Sequence, residues 1–225
     1  MFLEKLVLFL VYRVLRLNNS KFWNYIAWNF YCDWSQNGEE WTKSEEWKAA
    51  LIEERINPYI DKNSYVLEIG PGGGRWTESL AKRVKKLSVV DLSPKCIKIC
   101  KKRFKGFSNI DYFVNNGISL ECIKDGSIDF IWSFDVFVHI EAKDIVLYVK
   151  EIYRVLKKGG KGIIHHSMKK QRNTPGWRSD MNDKLFKKIL EENGLTLIEQ
   201  FDSWNDGRFD VDLGYLRDVL SYFKK

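Results

Sequence analysis

The chain has 225 residues, 44% of them apolar and 15% aromatic. It can bury a sizeable core, which excludes disorder as its main state. Four cysteines (Cys32, Cys96, Cys100 and Cys122) are too few for a disulfide scaffold at this length, so a reduced, cytoplasmic compartment is the default. The net charge of +7 and pI near 9.1 suggest an acidic partner. The excess is local, however. Residues 1–60 carry a net −1, and residues 82–105 hold ten Lys/Arg against one acid, Asp91.

Residues 2–17, FLEKLVLFLVYRVLRL, are the most apolar stretch, yet the unbroken apolar run from Leu6 to Tyr12 is seven residues long. A spanning helix needs about 20. No small-residue cleavage site follows, which argues against a signal peptide. Drawn as a helix, the segment is apolar nearly all round and must be covered. Its cover is the protein's own body, a second subunit in a homodimer, or a membrane surface, which would make the protein membrane-associated. Five of the nine tryptophans lie between Trp23 and Trp47. Such a segment suits either core packing or stacking on a ring substrate. Thr42-x-x-Glu45 reads as a capping box opening a helix to about Ile56, ended by Asn57-Pro58. Residues 1–60 are therefore read as a helical extension or lid, and residues 61–225 as the main domain.

From residue 64 strands and helices alternate. Tyr65–Ile69 is a short buried strand, followed by a glycine-rich loop and a helix from Arg75 to Lys86. Leu87–Asp91 is the second strand, and Ser93-Pro94 opens a helix to about Lys105. Strands follow at Ile110–Val114 and Ile128–Trp132. A helix spans Ala142 to Lys157, stopped by Gly159-Gly160, and a fifth strand runs from Lys161 to His166. A polar loop, a helix from Met181 to Glu192 and two late strands near 195–201 and 216–223 complete the chain. The pattern indicates an α/β fold built on a doubly wound, mostly parallel sheet.

The loop after the first strand reads Glu68-Ile69-Gly70-Pro71-Gly72-Gly73-Gly74. Glycines at 70, 72 and 74 let the backbone turn sharply and approach a ligand, and the next helix offers free N–H groups. Asp91 ends the second strand, 21 residues after Gly70, where an acid accepts from ribose hydroxyls. A dinucleotide fingerprint would place its third glycine one position later. The observed E-x-G-x-G-x-G resembles the first motif of class I S-adenosylmethionine-dependent methyltransferases. The resemblance continues along residues 60–225. Val89-Val90-Asp91-Leu92-Ser93 looks like the family's ribose-binding motif. Asn115-Asn116-Gly117 stands at its adenine-contacting position, where Asp is more usual. Asp129-Phe130-Ile131-Trp132-Ser133 looks like its fourth-strand motif. Glu151 to Gly160 resembles its helix-to-fifth-strand motif, with Lys158 where Pro is usual. The resemblance implies a seven-stranded sheet and S-adenosylmethionine as cofactor, held by Glu68, Gly70, Pro71, Gly72, Gly74, Asp91, Leu92, Asn116, Gly117 and Ser133.

Methyl transfer from such a donor requires alignment and, for a hydroxyl acceptor, removal of a proton. All three histidines fall near the carboxyl ends of strands four and five, the edge where open α/β sheets bind ligands. His139 is the expected base, with Asp135 orienting it or contacting the acceptor. His165 and His166 point to opposite faces of their strand, so at most one faces the cleft; His166 is taken as the further candidate. No metal-ligand spacing is present. In the loop Ser167–Asp180, Trp177 is expected to stack on a sugar and Arg178 to hold an anionic group. No Asn-Pro-Pro-Tyr-like motif follows strand four, and no RNA-binding module is visible. The reading is O-methylation of a small molecule or glycan, such as a lipid-linked ring. A quinone- or terpenoid-type C-methyltransferase, an RNA methyltransferase and a non-catalytic cofactor-binding subunit stay open as alternatives. Nucleic acid is disfavoured, because in the helix after Ser93 lysines share one face and apolar residues the other, the pattern of a solvated outer face.

Overall fold

The computed structural model describes residues 21–169, 178–211 and 217–225. The apolar segment 2–17 and Trp177 lie outside these residues, so the expectations placed on them are not addressed. Alternating apolar strands and amphipathic helices assemble as the pattern requires. Strands β1 (Tyr65–Ile69), β2 (Lys86–Asp91), β3 (Ile110–Val114), β4 (Ile128–Ser133) and β5 (Leu156–Ser167) run parallel. β6 (Thr196–Phe201) and the last strand, β9 (Asp218–Lys224), complete one seven-stranded sheet in the order β3-β2-β1-β4-β5-β9-β6. β9 is antiparallel to both its neighbours. Between β6 and β9 a small hairpin pairs β7 (Ser203–Trp204) with β8 (Phe209–Asp210).

Strand alternation divides the core into two layers. Val66, Phe130 and Trp132 face one side, where they pack with helices α2 (Glu45–Arg55), α3 (Thr77–Ala81) and α4 (Pro94–Arg103). Leu67, Ile69 and Ile131 face the other, under α5 (Ala142–Val155) and α6 (Asp183–Glu192). Helix α1 (Lys21–Ile26) continues into a π-turn over Ala27–Tyr31. No described helix is long and apolar enough to cross a membrane.

Three boundaries depart from the sequence reading. Helix α2 is capped by Ser44, whose side chain accepts from the Trp47 N–H, while Thr42 bonds Glu39 instead. The helix after the glycine loop shrinks to Thr77–Ala81, because residues 72–76 are spent in turns. Helix α5 ends at Val155 rather than Lys157, and β5 begins at once with Leu156. Gly159 and Gly160 lie within β5, where both bond Lys225 at the end of the chain.

Candidate active site

The carboxyl ends of β1, β2, β4 and β5 meet along one sheet edge, and the loops leaving them form the site. Gly70 follows β1 with φ +70°, its N–H bonded to the Val90 carbonyl at 2.7 Å. A Cβ at Gly70 would stand 2.3 Å from Val136 of the β4 loop, so only glycine lets the two loops close on each other. Gly72, at φ +57°, is likewise crowded: its Cβ would meet the Trp34 ring at 2.7 Å.

Glu68 lies beneath this loop, 1% exposed. Oε2 accepts from the Thr77 hydroxyl at 2.7 Å, and Oε1 is buried without a hydrogen-bond partner. Burial pushes the carboxyl up to about 7, partly offset by the Thr77 bond. At the end of β2, Asp91 accepts from the Ser93 N–H at 2.8 Å and from the Gly72 N–H at 3.2 Å. Burial pushes Asp91 up to about 6, against those two bonds. An orphaned acceptor under a glycine loop, with a second carboxylate at the neighbouring strand end, fits a nucleoside carrying an amino-acid group.

The loop after β3 borders this region. Gly117 (φ +80°) is buried against Leu92. Asn116 is exposed and accepts from the N–H groups of Ile118 and Ser119. Asn115 is tied to Ser119 and to the Tyr148 hydroxyl, which makes it a turn residue. Ser133, expected at the cofactor, is fully buried, and its hydroxyl donates to the Ile69 carbonyl at 2.9 Å. It ties β4 to β1 rather than offering a free group.

After β4 the chain turns through Asp135, which holds φ +58°. Its Oδ2 accepts from Arg75 Nη2 at 2.8 Å, and its Oδ1 lies 3.0 Å from His165 Nδ1. Burial pushes this carboxyl up, but Arg75 and His165 outweigh it and hold Asp135 well below the usual carboxylate range. His165 is 2% exposed and stacks on Phe134 at 4.4 Å; its Nε2 stands 3.6 Å from Asp218, itself paired with Arg178. Five charged or titratable side chains thus link β4, β5 and β9. Arg75 and Asp218 were not singled out from sequence, and His165 was named there only beside His166, which was preferred. Strand alternation allowed one of the two adjacent histidines to face this edge, and packing selects His165. His166 corrects the expectation: it is fully buried on the opposite face, stacked on Phe186 at 3.9 Å and bonded to Ser221 at 2.7 Å. Burial lowers it to about 3, so it stays neutral at working pH. Arg178, expected at substrate, is engaged with Asp218.

His139 closes a short 3-10 turn, Phe137–His139, beyond Asp135 and is half-buried. Its carbonyl accepts from Asn24 at 2.9 Å, and its ring meets Trp28 edge-on at 5.3 Å. Both partners belong to residues 21–41, which cross the site as a strap. Asn29 Oδ1 accepts from the Ser93 hydroxyl at 3.0 Å and the Lys95 N–H at 3.2 Å. The Trp34 indole donates to the Trp28 carbonyl at 3.0 Å while its ring covers Gly72.

Residues 66–160 match the family described as "Methyltransferase domain". A ubiquinone biosynthesis O-methyltransferase of Xanthomonas oryzae pv. oryzae is 30% identical over 99 residues, 43% of this chain and 40% of that protein. A demethylmenaquinone methyltransferase of Tropheryma whipplei is 32% identical over 99 residues, 44% of this chain and 40% of that protein. The chain thus spans well under half the length of these curated relatives. A crystal structure of a SAM-dependent methyltransferase from Aquifex aeolicus shares the fold, with a TM-score of 0.64 and 15% identity, covering 86% of this chain and 98% of that one.

Proposed function

We infer that this chain is a class I S-adenosylmethionine-dependent methyltransferase that methylates a ring hydroxyl of an apolar small molecule, with His139 as the base, a reading supported by the methyltransferase-domain match over residues 66–160. The observation that carries this reading is the pairing of His139 with Trp28. An imidazole stands edge-on to an indole, on the loop that follows β4. A planar acceptor entering beside Trp28 would gain ring contact and come within reach of the histidine. The curated relatives are named for ubiquinone and menaquinone chemistry, which supports a quinone-type ring over a sugar. The sugar reading leaned on Trp177, which lies outside the described residues, and on the aromatic-rich segment, which suits a planar ring equally; Arg178, expected to hold an anionic group, is engaged with Asp218.

S-adenosylmethionine, when bound, supplies a methyl group on a cationic sulfur, already activated for in-line displacement. The residues of this chain would then act as follows. Asp91 accepts from the ribose hydroxyls, and the orphaned Glu68 Oε1 accepts from the amino group of the amino-acid end. The glycine loop lets the backbone lie against the nucleoside. Trp28 and Trp34 exclude water from the roof. His139 would take the proton of the acceptor hydroxyl as the oxygen–methyl bond forms and the methyl–sulfur bond breaks, the sulfur leaving as a neutral thioether. Asp135 stays ionised and favours the charged imidazolium.

The test is turnover with S-adenosylmethionine against three acceptors: a catechol, a monosaccharide and RNA. Mass spectrometry locates the added methyl. The reading expects methylation of the catechol oxygen. His139→Ala should lower kcat by about 10²–10³-fold while the affinity for S-adenosylhomocysteine holds within about twofold. Methylation confined to RNA or the sugar, or an unimpaired His139→Ala enzyme, would overturn it.

A further inference from the structure

The strap has an inner and an outer face. Asn24, Ala27 and Trp28 turn inward to the site. Outward stand Phe22 (59% exposed), Tyr25 (36%), Phe30 (67%) and Tyr31 (48%). Tyr25 and Phe30 meet edge-to-face at 6.4 Å, and Phe22 meets Trp23 edge-on at 5.3 Å. Large apolar side chains concentrated on eleven residues are unusual for a solvated surface, since a water-facing helix ordinarily shows polar groups.

The strap adjoins the most basic of the described helices. The Lys95 ammonium donates to the Cys32 carbonyl at 3.1 Å, and the Lys95 N–H donates to Asn29 Oδ1, fastening the strap to the start of α4. Beyond Lys95, α4 and the residues just after it expose Lys98, Lys101, Lys102 and Lys105. A shallow hollow of about 380 Å³, lined by Trp34, Asn37, Ile99, Lys102 and Arg103, lies between the later residues of the strap and α4. Residues 21–41 and 94–105 together hold seven Lys/Arg against three acids. One of those acids, Glu39, is already paired with Lys48 at 2.8 Å and faces Arg103 at 3.7 Å. The chain enters the strap from residues 2–17, whose sequence is apolar with Arg13 and Arg16 interspersed.

We propose that the outer strap and helix α4 form one docking surface for an anionic lipid bilayer. Phe22, Tyr25, Phe30 and Tyr31 enter the headgroup layer, and Lys98, Lys101, Lys102 and Lys105 pair with lipid phosphates. Interfacial aromatics beside lysines match the two forces that hold a protein on such a surface: apolar burial and attraction to anionic headgroups. The geometry also gives the docking a consequence. The strap that meets the lipid with its outer face covers His139 with its inner one, so docking sets the site's roof at the interface. The proposal stands whether or not the acceptor is a quinone-type ring.

Flotation of the full chain with vesicles tests it. Two compositions are compared, phosphatidylcholine alone and phosphatidylcholine with phosphatidylglycerol, each at low and high salt. The wild type should float with the anionic vesicles at low salt and much less with neutral ones. The variant Phe22→Ser/Tyr25→Ser/Phe30→Ser/Tyr31→Ser, and separately Lys98→Glu/Lys102→Glu, should each lose about tenfold in retention. The charge-reversed protein should also lose most of its salt dependence. These side chains are exposed, and an unchanged affinity for S-adenosylhomocysteine confirms that the variants are folded. Residues 2–17 are present throughout, so retention equal to wild type in both variants would overturn the proposal. So would failure of the wild type to bind anionic vesicles, or light scattering that shows the aromatic variant converting a non-binding dimer to a monomer.

Discussion

Asp135 and His165 leave neighbouring strands and meet above the sheet, Oδ1 of one 3.0 Å from Nδ1 of the other. Arg75 closes the other side of the carboxylate, and Asp218 stands beyond the imidazole. The guanidinium is 5% exposed, and one of its terminal nitrogens has no hydrogen-bond partner. Asp135 is therefore its principal compensation. Asp135→Ala should cost about 3 kcal/mol in chemical denaturation, because a nearly buried cation is left alone. Asp135→Asn keeps the shape and tolerates the positive φ, so it should cost less. Because Asp135 is held below its ordinary range, its contribution is complete at neutral pH. That contribution is lost only as pH falls below the usual aspartate value. Equal loss in both variants would show that shape, not charge, is what matters.

Asp91 is the strongest prediction for the cofactor half. Two ribose hydroxyls on one ionised carboxylate are worth about 3 kcal/mol. Asp91→Ala should therefore weaken S-adenosylhomocysteine at least about 100-fold by calorimetry. Burial places the wild-type carboxyl near 6. Its ionised form is the better acceptor, so affinity should be flat above pH 7 and fall below 6, up to about tenfold per unit. Wild-type affinity in the variant, or no fall in acid, would count against this role.

Glu68 gives a separate pH signature in the unliganded protein. Its folded value, about 7, lies above the ordinary 4.5. The folded state binds this proton more tightly than the unfolded chain does. Stability is therefore highest, as far as this group is concerned, below pH 4.5 and is lost as pH rises through 7. At pH 8 the charged, buried carboxylate costs on the order of 3 kcal/mol. Glu68→Gln should raise the thermal midpoint at pH 8 more than at pH 5, flattening the profile. A parallel shift at both pH values would mean that Glu68 is not the titrating group.

The glycine loop and the carboxylate at the end of β2 were readable because their signals are local. Gly70, Gly72 and Gly74 take positive φ as their spacing suggested, and Asp91 ends β2. The acceptor half was not, because it is assembled from distant pieces. His165 and His166 are adjacent in sequence and chemically identical. What separates them is that α6 brings Phe186 over one face of β5, while Asp135 and Asp218 border the other. Ser133 carried a motif resemblance, yet its hydroxyl is consumed by the Ile69 carbonyl. The cap at Ser44 instead of Thr42 is a shift of two residues that only the chain path resolves.

Composition, periodicity and one glycine loop sufficed to determine an α/β fold and the strands of its main sheet, because short-range backbone preference and burial act within a few residues. The tertiary structure alone decided the rest. The basic block and the aromatic strap, separated by some sixty residues, are fastened together by the hydrogen bond from Lys95 to the Cys32 carbonyl. A histidine finds its carboxylate from the next strand only when the sheet has closed. Those relationships depend on where elements pack, and packing is a property of the whole core rather than of any segment of it.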